Sequence, residues 1–265
     1  MLNNEQALKD GNLEQALADI QQLVRKDPAN AKHRIYLFQL FAVLGQWERA
    51  LTQLNVLADM DAATLPMVQT YRETIRCETL RAEVFTGQKS PLIFGEPEPW
   101  MALLLESLRL TADQQHAYAN DLRQQAFELA PGTSGSIDEA EFEWIADADS
   151  RLGPVLEVIV NGLYYWIPFN RISIIRITPP EDLRDLVWTP AHFTWANGGE
   201  TVGFIPTRYS GSEHSDDSSI RLARKTEWTD LTDEYFTGLG QRVLSTNEND
   251  YALMDIRELH FNHPG

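Results

Sequence analysis

Cysteine is nearly absent: Cys77 is the one such residue in 265. That excludes an intramolecular disulfide and a multi-cysteine metal site, and Cys77 itself reads as a small buried hydrophobe. Long hydrophobic runs are missing too. The most apolar stretch, 155–169, is interrupted by Glu157, Asn161 and Gly162, and it is too short and too β-branched for a membrane span. The opening residues, MLNNEQALKDG, contain neither a basic segment nor an apolar one, so no secretory signal is expected. These absences point to a soluble, cytoplasmic protein with no membrane partner. Basic residues are scarce, with 22 Lys and Arg against 39 Asp and Glu and a net charge of −17. The deficit is local: residues 1–95 carry 11 acids and 10 bases, and the remainder carries 28 and 12. Such a field repels phosphate backbones and excludes nucleic acid as a partner of the second part.

Catalytic signatures are also lacking. No two of the six histidines stand in a His-Glu-x-x-His arrangement, and there is no Gly-x-x-x-x-Gly-Lys loop. Gly238-Leu239-Gly240-Gln241 lacks the third glycine of a dinucleotide loop and reads as a turn. Ser, His and Asp coincide only in the loop 208–217, and one loop cannot orient a nucleophilic triad by itself. Glu213, His214, Asp216 and Asp217 match metal-ligand types, which leaves a metal-dependent enzyme using the 209–217 loop as an alternative. The acidic run from Asp138 to Asp149 lacks the glycine and final glutamate of a calcium loop. It reads as a solvated edge or a surface for a basic partner.

What is present is a repeat. Gly11-Asn12-Leu13-Glu14-Gln15-Ala16-Leu17 recurs as Gly45-Gln46-Trp47-Glu48-Arg49-Ala50-Leu51, and the pairs Leu23/Leu57, Asp27/Asp61 and Ala29/Ala63 keep that register. The offset of about 34 residues is the tetratricopeptide period. Glycine separates helix A from helix B, alanine allows close packing, and Asp27-Pro28 ends helix B. Helices are predicted over 13–26, 31–44 and 65–85. A concave groove would be lined by helix A residues, here Lys32, Ile35, Gln39, Ala42, Gln69, Glu73 and Arg76. The alternative is that the short array only packs against the rest of the chain.

After a loop at 87–99, helices are predicted from Trp100 to Leu110 and on to Pro131, with Thr111 and Gln114 capping the second. Gly132-Thr133-Ser134-Gly135-Ser136 reads as a linker. Beyond it, 155–160 and 172–177 are β-branched runs of strand length. Asn197-Gly198 between Phe193-Thr194-Trp195 and Thr201-Val202-Gly203-Phe204-Ile205 signals a hairpin, and short strands are expected near 220–226 and 251–256. The expected fold is therefore a multidomain α and β protein. A helical domain with tetratricopeptide-like repeats spans 1–131, and an acidic, mainly β domain, a small barrel or sandwich, spans 138–265.

The wording of the second part is distinctive. Asp147-Ala148-Asp149-Ser150-Arg151-Leu152-Gly153-Pro154, Tyr164-Tyr165-Trp166-Ile167-Pro168-Phe169, Leu183-Arg184-Asp185-Leu186-Val187-Trp188, Phe204-Ile205-Pro206-Thr207-Arg208-Tyr209 and Gly238-Leu239-Gly240-Gln241-Arg242 resemble the signature of the ImpE/TagJ family. These are accessory proteins of bacterial type VI secretion systems. The resemblance implies a non-enzymatic cytoplasmic adaptor with no cofactor. Its partner would be the N-terminal helix of the small sheath subunit TssB, with a link to sheath assembly or to recycling by the ATPase ClpV. An effector chaperone is the remaining alternative. A partner helix with basic and apolar residues is expected on the acidic part or in the cleft between the two parts. Arg208, Tyr209 and Glu213 join the groove residues as candidate contacts.

Overall fold

In the computed structural model, which describes residues 2–232 and 235–263, the repeat becomes two helical hairpins. Helices α1 (Leu2–Lys9) and α2 (Leu13–Lys26) form the first and α3 (Ala31–Val43) and α4 (Trp47–Met60) the second; α5 (Leu65–Phe85) follows alone. Gly11 and Gly45 take φ of +72° and +64°, and the amides of Asn12 and Gln46 reach back to the carbonyls of Ala7 and Phe41 at 2.7 and 2.8 Å. Glycine makes this left-handed helix ending without a Cβ penalty. Ala16 and Ala50 are fully buried, as the repeat requires. Helix α3 is buried continuously from Leu37 to Val43, because helices lie on one side of it and the sheet on the other.

Helices α6 (Pro99–Ala112) and α7 (His116–Leu129) complete the helical part. Thr111 does not cap α7. It continues α6, donates to the Ser107 carbonyl at 2.8 Å and meets the Tyr235 hydroxyl at 3.0 Å. Helix α7 starts after Gln115 with no side-chain cap.

The strands are β1 (Leu92–Ile93), β2 (Gly135–Ile137), β3 (Ala140–Phe142), β4 (Ile145–Asp147), β5 (Val155–Val160), β6 (Leu163–Pro168), β7 (Ile172–Ile177), β8 (Trp188–Trp195), β9 (Glu200–Pro206), β10 (Thr226–Thr232), β11 (Tyr235–Gly240), β12 (Val243–Thr246), β13 (Asp250–Ala252) and β14 (Glu258–Phe261), with a short helix α8 (Ser218–Arg221) before β10. Nine of them form a sheet in the order β1-β6-β5-β9-β8-β7-β14-β2-β3, beside a three-stranded sheet β13-β12-β4 and the ribbon β10-β11. The large sheet runs from β1 at one end to β3 at the other with no pairing between them, so it is open and not a closed barrel.

Several local expectations change. The loop at 87–99 contains β1, and the supposed linker runs into β2. Residues 218–221 are helical, the predicted strand at 251–256 becomes β13 plus a short 3-10 turn, and Gly238-Leu239-Gly240 ends β11 and is not a turn. These segments are too short for periodicity to identify.

Strand β5 shows how the parts join. All six of its residues are buried, because alternate side chains point to two different cores. Val155 and Ile159 pack with the helices, Tyr164, Trp166 and Trp188. Leu156, Val158 and Val160 pack with Phe169, Phe193, Leu244 and Leu259 between the sheets. Helices and sheet thus share one continuous core.

Glu157 lies on the helix-facing side of β5, fully buried. Arg81 of α5 donates to it through Nε at 2.6 Å and Nη2 at 3.0 Å, Tyr164 donates at 2.5 Å, and Arg242 closes the third side. Arg242 also grips Asp147, which accepts from Tyr209 at 3.0 Å. Glu78 accepts from Trp188 Nε1 at 2.8 Å, and Asp149 pairs with Arg151 at 2.5 Å. Arg208 donates to the carbonyls of Val43 and Arg221 at 2.8 and 2.5 Å. It therefore sits at the carbonyl end of α3, where a cation is favourable, and burial lowers its pKa to about 10. Four arginines meet four carboxylates here, as buried charge demands.

Two predictions follow from this architecture. A Cβ on Gly45 would lie 2.6 Å from Glu213 Cγ, whereas one on Gly11 would lie 3.2 Å from Ser218 Oγ. Gly45→Ala should therefore destabilise more than Gly11→Ala, by roughly 1–3 kcal/mol against unfolding, and Glu213→Ala should rescue part of the former only. Denaturant titration of the four variants checks this; equal costs with no rescue would contradict the close approach.

The second concerns pH. Burial pushes the Glu157 carboxyl up, but Arg81 and Arg242 outweigh it and hold it at about 2, below the ordinary 4.5. For Asp147 burial prevails over Arg242 and lifts it from 3.8 to about 6. The stabilisation from Glu157 is present above pH 4.5 and lost as pH falls toward 2. That from Asp147 is present below pH 3.8 and lost as pH rises through 6. Relative to Asp147→Asn, the natural chain should lose on the order of 1–3 kcal/mol across the upper window. Relative to Glu157→Gln it should gain stability with pH across the lower one. Urea unfolding at stepped pH tests both, and slopes of the same sign would refute the assignment.

Candidate docking cleft

Along β8 the helix-facing positions are Trp188, Pro190, His192 and Thr194, and the opposite face carries Thr189, Ala191, Phe193 and Trp195. The second set is buried throughout, and its one polar member, Thr189, is satisfied by the Thr207 hydroxyl at 2.8 Å. The first set turns from apolar to polar along the strand. Helix α5 covers Trp188 and Phe204 through Tyr71, whose ring lies 5.6 Å from each, and its cover ends before His192.

A cleft of about 590 Å³ opens where that cover ends. Its floor is Ile159 and Phe204, and Gln69 and Glu73 of α5 form one wall. Val202 is 63% exposed although apolar. His192 and Val202 also line an adjoining hollow of about 510 Å³ with Arg176 and Glu200. The two hollows form one trough from α5 to β7. Register explains the row: Glu258 pairs with Arg176, Arg176 with His192, and His192 with Val202. Arg176 is neutralised by Glu258 at 2.8 Å, whereas Glu200 has no basic partner among the described residues. The trough therefore combines an apolar floor with a rim on which Glu200 is the unpaired charge among the described residues. Cys77 lies beneath it and donates its thiol to the Gly162 carbonyl at 3.3 Å. Burial pushes that thiol up to about 12, which makes it unreactive.

The sequence-predicted contacts divide. Gln69 and Glu73 reach the cleft, and Arg76 stands beside it, exposed and paired with Glu73 at 2.6 Å. Lys32 is exposed and Ile35 half-buried on α3, while Gln39 is buried. Helix A does not line an open groove here, because α3 and α5 pack on the sheet. Arg208 and Tyr209 were expected at a partner surface and are buried in the charge network instead. Glu213 is folded against Gly45.

The 209–217 loop is a structural wedge. The Ser212 hydroxyl donates to the Tyr209 carbonyl at 2.6 Å and accepts from the Gly240 amide at 2.8 Å. Asp217 caps α8 and pairs with Lys225 at 2.6 Å. The His214 side chain is exposed. Glu213 lies 3.5 Å from His214, but Asp217 is committed to Lys225, and among the described residues no three His, Cys, Asp or Glu side chains are grouped to hold a metal. The acidic run divides as well. Glu139, Glu141 and Glu143 are exposed, while Asp147 and Asp149 are buried, contrary to a solvated edge throughout. Among the described residues no helix is long and apolar enough to cross a membrane.

Sequence reading missed Ile159, His192, Val202 and Phe204 as cleft residues. The available signal was the change of character along one face of β8 and β9.

Comparison with known proteins agrees with this architecture. A tetratricopeptide-repeat family profile matches residues 7–72, and the profile described as ImpE protein matches residues 139–260. The type VI secretion system accessory component TagJ of Pseudomonas aeruginosa is 52% identical over 260 residues, covering 97% of this chain and 90% of that protein. A crystal structure of a protein from Vibrio parahaemolyticus superposes with a TM-score of 0.90 at 25% identity, covering 99% of this chain and 98% of the other. With the repeats in front and the five sequence motifs gathered in one buried network, the chain belongs to the ImpE family of type VI secretion accessory proteins.

Proposed function

We propose that this protein is a non-enzymatic adaptor of a type VI secretion system that captures the N-terminal helix of the small sheath subunit TssB in the cleft between α5 and strands β5, β8 and β9. The observation that carries the proposal is an exposed apolar row at the edge of the sheet's helical cover, in a chain 52% identical to a type VI accessory component. An amphipathic helix laid there would continue the cover that α5 begins, placing its apolar side on the exposed Val202 and the half-buried Phe204. Glu200 on the rim, without a basic partner among the described residues, favours a helix with a basic residue on its flank. Holding that helix would influence sheath assembly, or its availability to the recycling ATPase ClpV.

Affinity in such a site comes from apolar burial, and the acidic rim sets encounter rate and selectivity. A synthetic peptide of the sheath subunit's N-terminal helix should bind the full chain. Val202→Lys, at an exposed position, should weaken it ~10-fold or more by removing an apolar contact and adding a like charge. Raising salt should slow association more than it speeds dissociation, since screening acts over ~8–10 Å. Surface plasmon resonance on folded variants measures all three. Unchanged affinity of Val202→Lys would place the partner elsewhere. Co-purification of a secreted effector without sheath subunits would replace the sheath reading with a chaperone role.

A further inference from the structure

With α3 and α5 turned toward the sheet, the surface the repeats leave free is the outer furrow between α2 and α4. It measures about 390 Å³, is floored by Leu37 and Phe41 of α3, and is walled by Val24 and Arg25 on one side and Arg49 and Gln53 on the other. In a chain of net charge −17, none of the residues lining this furrow is acidic. The Arg49 guanidinium lies 4.2 Å from the centre of the Phe41 ring and donates to Gln46 at 2.5 Å. Stacking and hydrogen bonding thus hold it flat over the furrow and preorganised. Arg34 donates to Gln53 at 3.0 Å, which fixes the same wall one turn further along α4. Among the described residues neither Arg25 nor Arg49 forms an ion pair.

We propose that this furrow is a second docking surface, for an acidic segment of a partner protein. Carboxylates of that segment would pair with Arg25 and Arg49, and an apolar side chain would lie between them on the half-buried Val24. Charge complementarity identifies the occupant. The furrow is basic and the sheet-side trough is acid-rimmed, so a segment suited to one is repelled by the other. Arg49 offers a planar fork for a carboxylate, and its stacking on Phe41 leaves little rotamer freedom to lose on binding. The chain would then join two partners of opposite charge.

The test is selection of short peptides from a randomised display library on the full-length protein, followed by affinity measurement on three chains: the natural one, Arg25→Ala/Arg49→Ala and Val202→Lys. Both altered surfaces are exposed, and circular dichroism checks that each variant is folded. The expected result is a class of Asp- and Glu-rich peptides with an apolar residue. That class should lose ~10-fold or more in affinity for the double arginine variant, weaken with salt, and bind Val202→Lys unchanged. Failure to enrich acidic peptides overturns the proposal, as does equal binding of such peptides to the double variant. Concentration-dependent dimerisation abolished by the double variant would also overturn it, by showing that a second copy occupies the furrow.

Discussion

Glu157 held between Arg81 and Arg242 is the contact on which the remaining structure depends. It ties α5 to β5 and to the residue just before β12, three segments far apart in the chain. Such a cluster is a poor source of net stability, because removing the charges from water offsets most of their attraction. Its asymmetry matters more. Taking away one partner strands the others in a dry interior, at a cost of about 3–5 kcal/mol. The arrangement therefore tolerates one placement of helices on sheet and penalises others, which makes it a specificity device for the joint between the two parts.

That joint decides where binding can occur. In an isolated repeat array the inner helices would line a groove. Here Phe38 packs on Tyr71 at 5.4 Å, and Tyr71 meets Trp188 and Phe204, so the chain's own sheet fills much of the inner face. Arg208 reaching the last carbonyls of α3 seals the contact. Free apolar surface is displaced to the edge of the covered region, where Val202 stands exposed. A site placed there is built on strands and a packed helix, and so needs little ordering when a partner arrives.

Much of the architecture was legible from residues alone. The glycine and alanine register gave the hairpins, and the β-branched runs gave β5 and β7 with their limits, because long periodic segments carry their own signal. Strands of two to four residues, such as β1, β2 and β12, carry no period and depend on neighbours. Arg208 and Tyr209 were misplaced on a surface because a polar loop reads as exposed until its charged partners are known. Those partners, Asp147 and Glu78 among them, come from other segments. The five distinctive motifs were legible as words but not as roles: each contributes residues to the buried network, among them Asp147 and Asp149, Tyr164, Trp188, Arg208 and Arg242. The cleft was only half legible. Gln69 and Glu73 follow from helical position, but Ile159 and Phe204 join them only once α5 is laid on the sheet.

The uneven charge acquires a meaning from the same packing. Asp147, Asp149 and Glu157 belong to the acidic part, yet they are paired internally and contribute little outward field. What a partner meets is the exposed remainder, including Glu139, Glu141, Glu143 and Glu200. Charges of that kind are screened within about 8 Å at physiological salt, and exposed pairs with them contribute only about 0–1 kcal/mol each. They can therefore orient and hasten an encounter but cannot by themselves hold a complex. Lasting attachment has to come from desolvated contact, which confines it to the few places where apolar side chains are uncovered. On the helix-facing side of the large sheet one such place is the strip of Phe204 and Val202. In the proposed docking cleft selectivity and retention would thus be separated in space, with the rim charge discriminating among approaching segments and the apolar floor setting how long an accepted one remains.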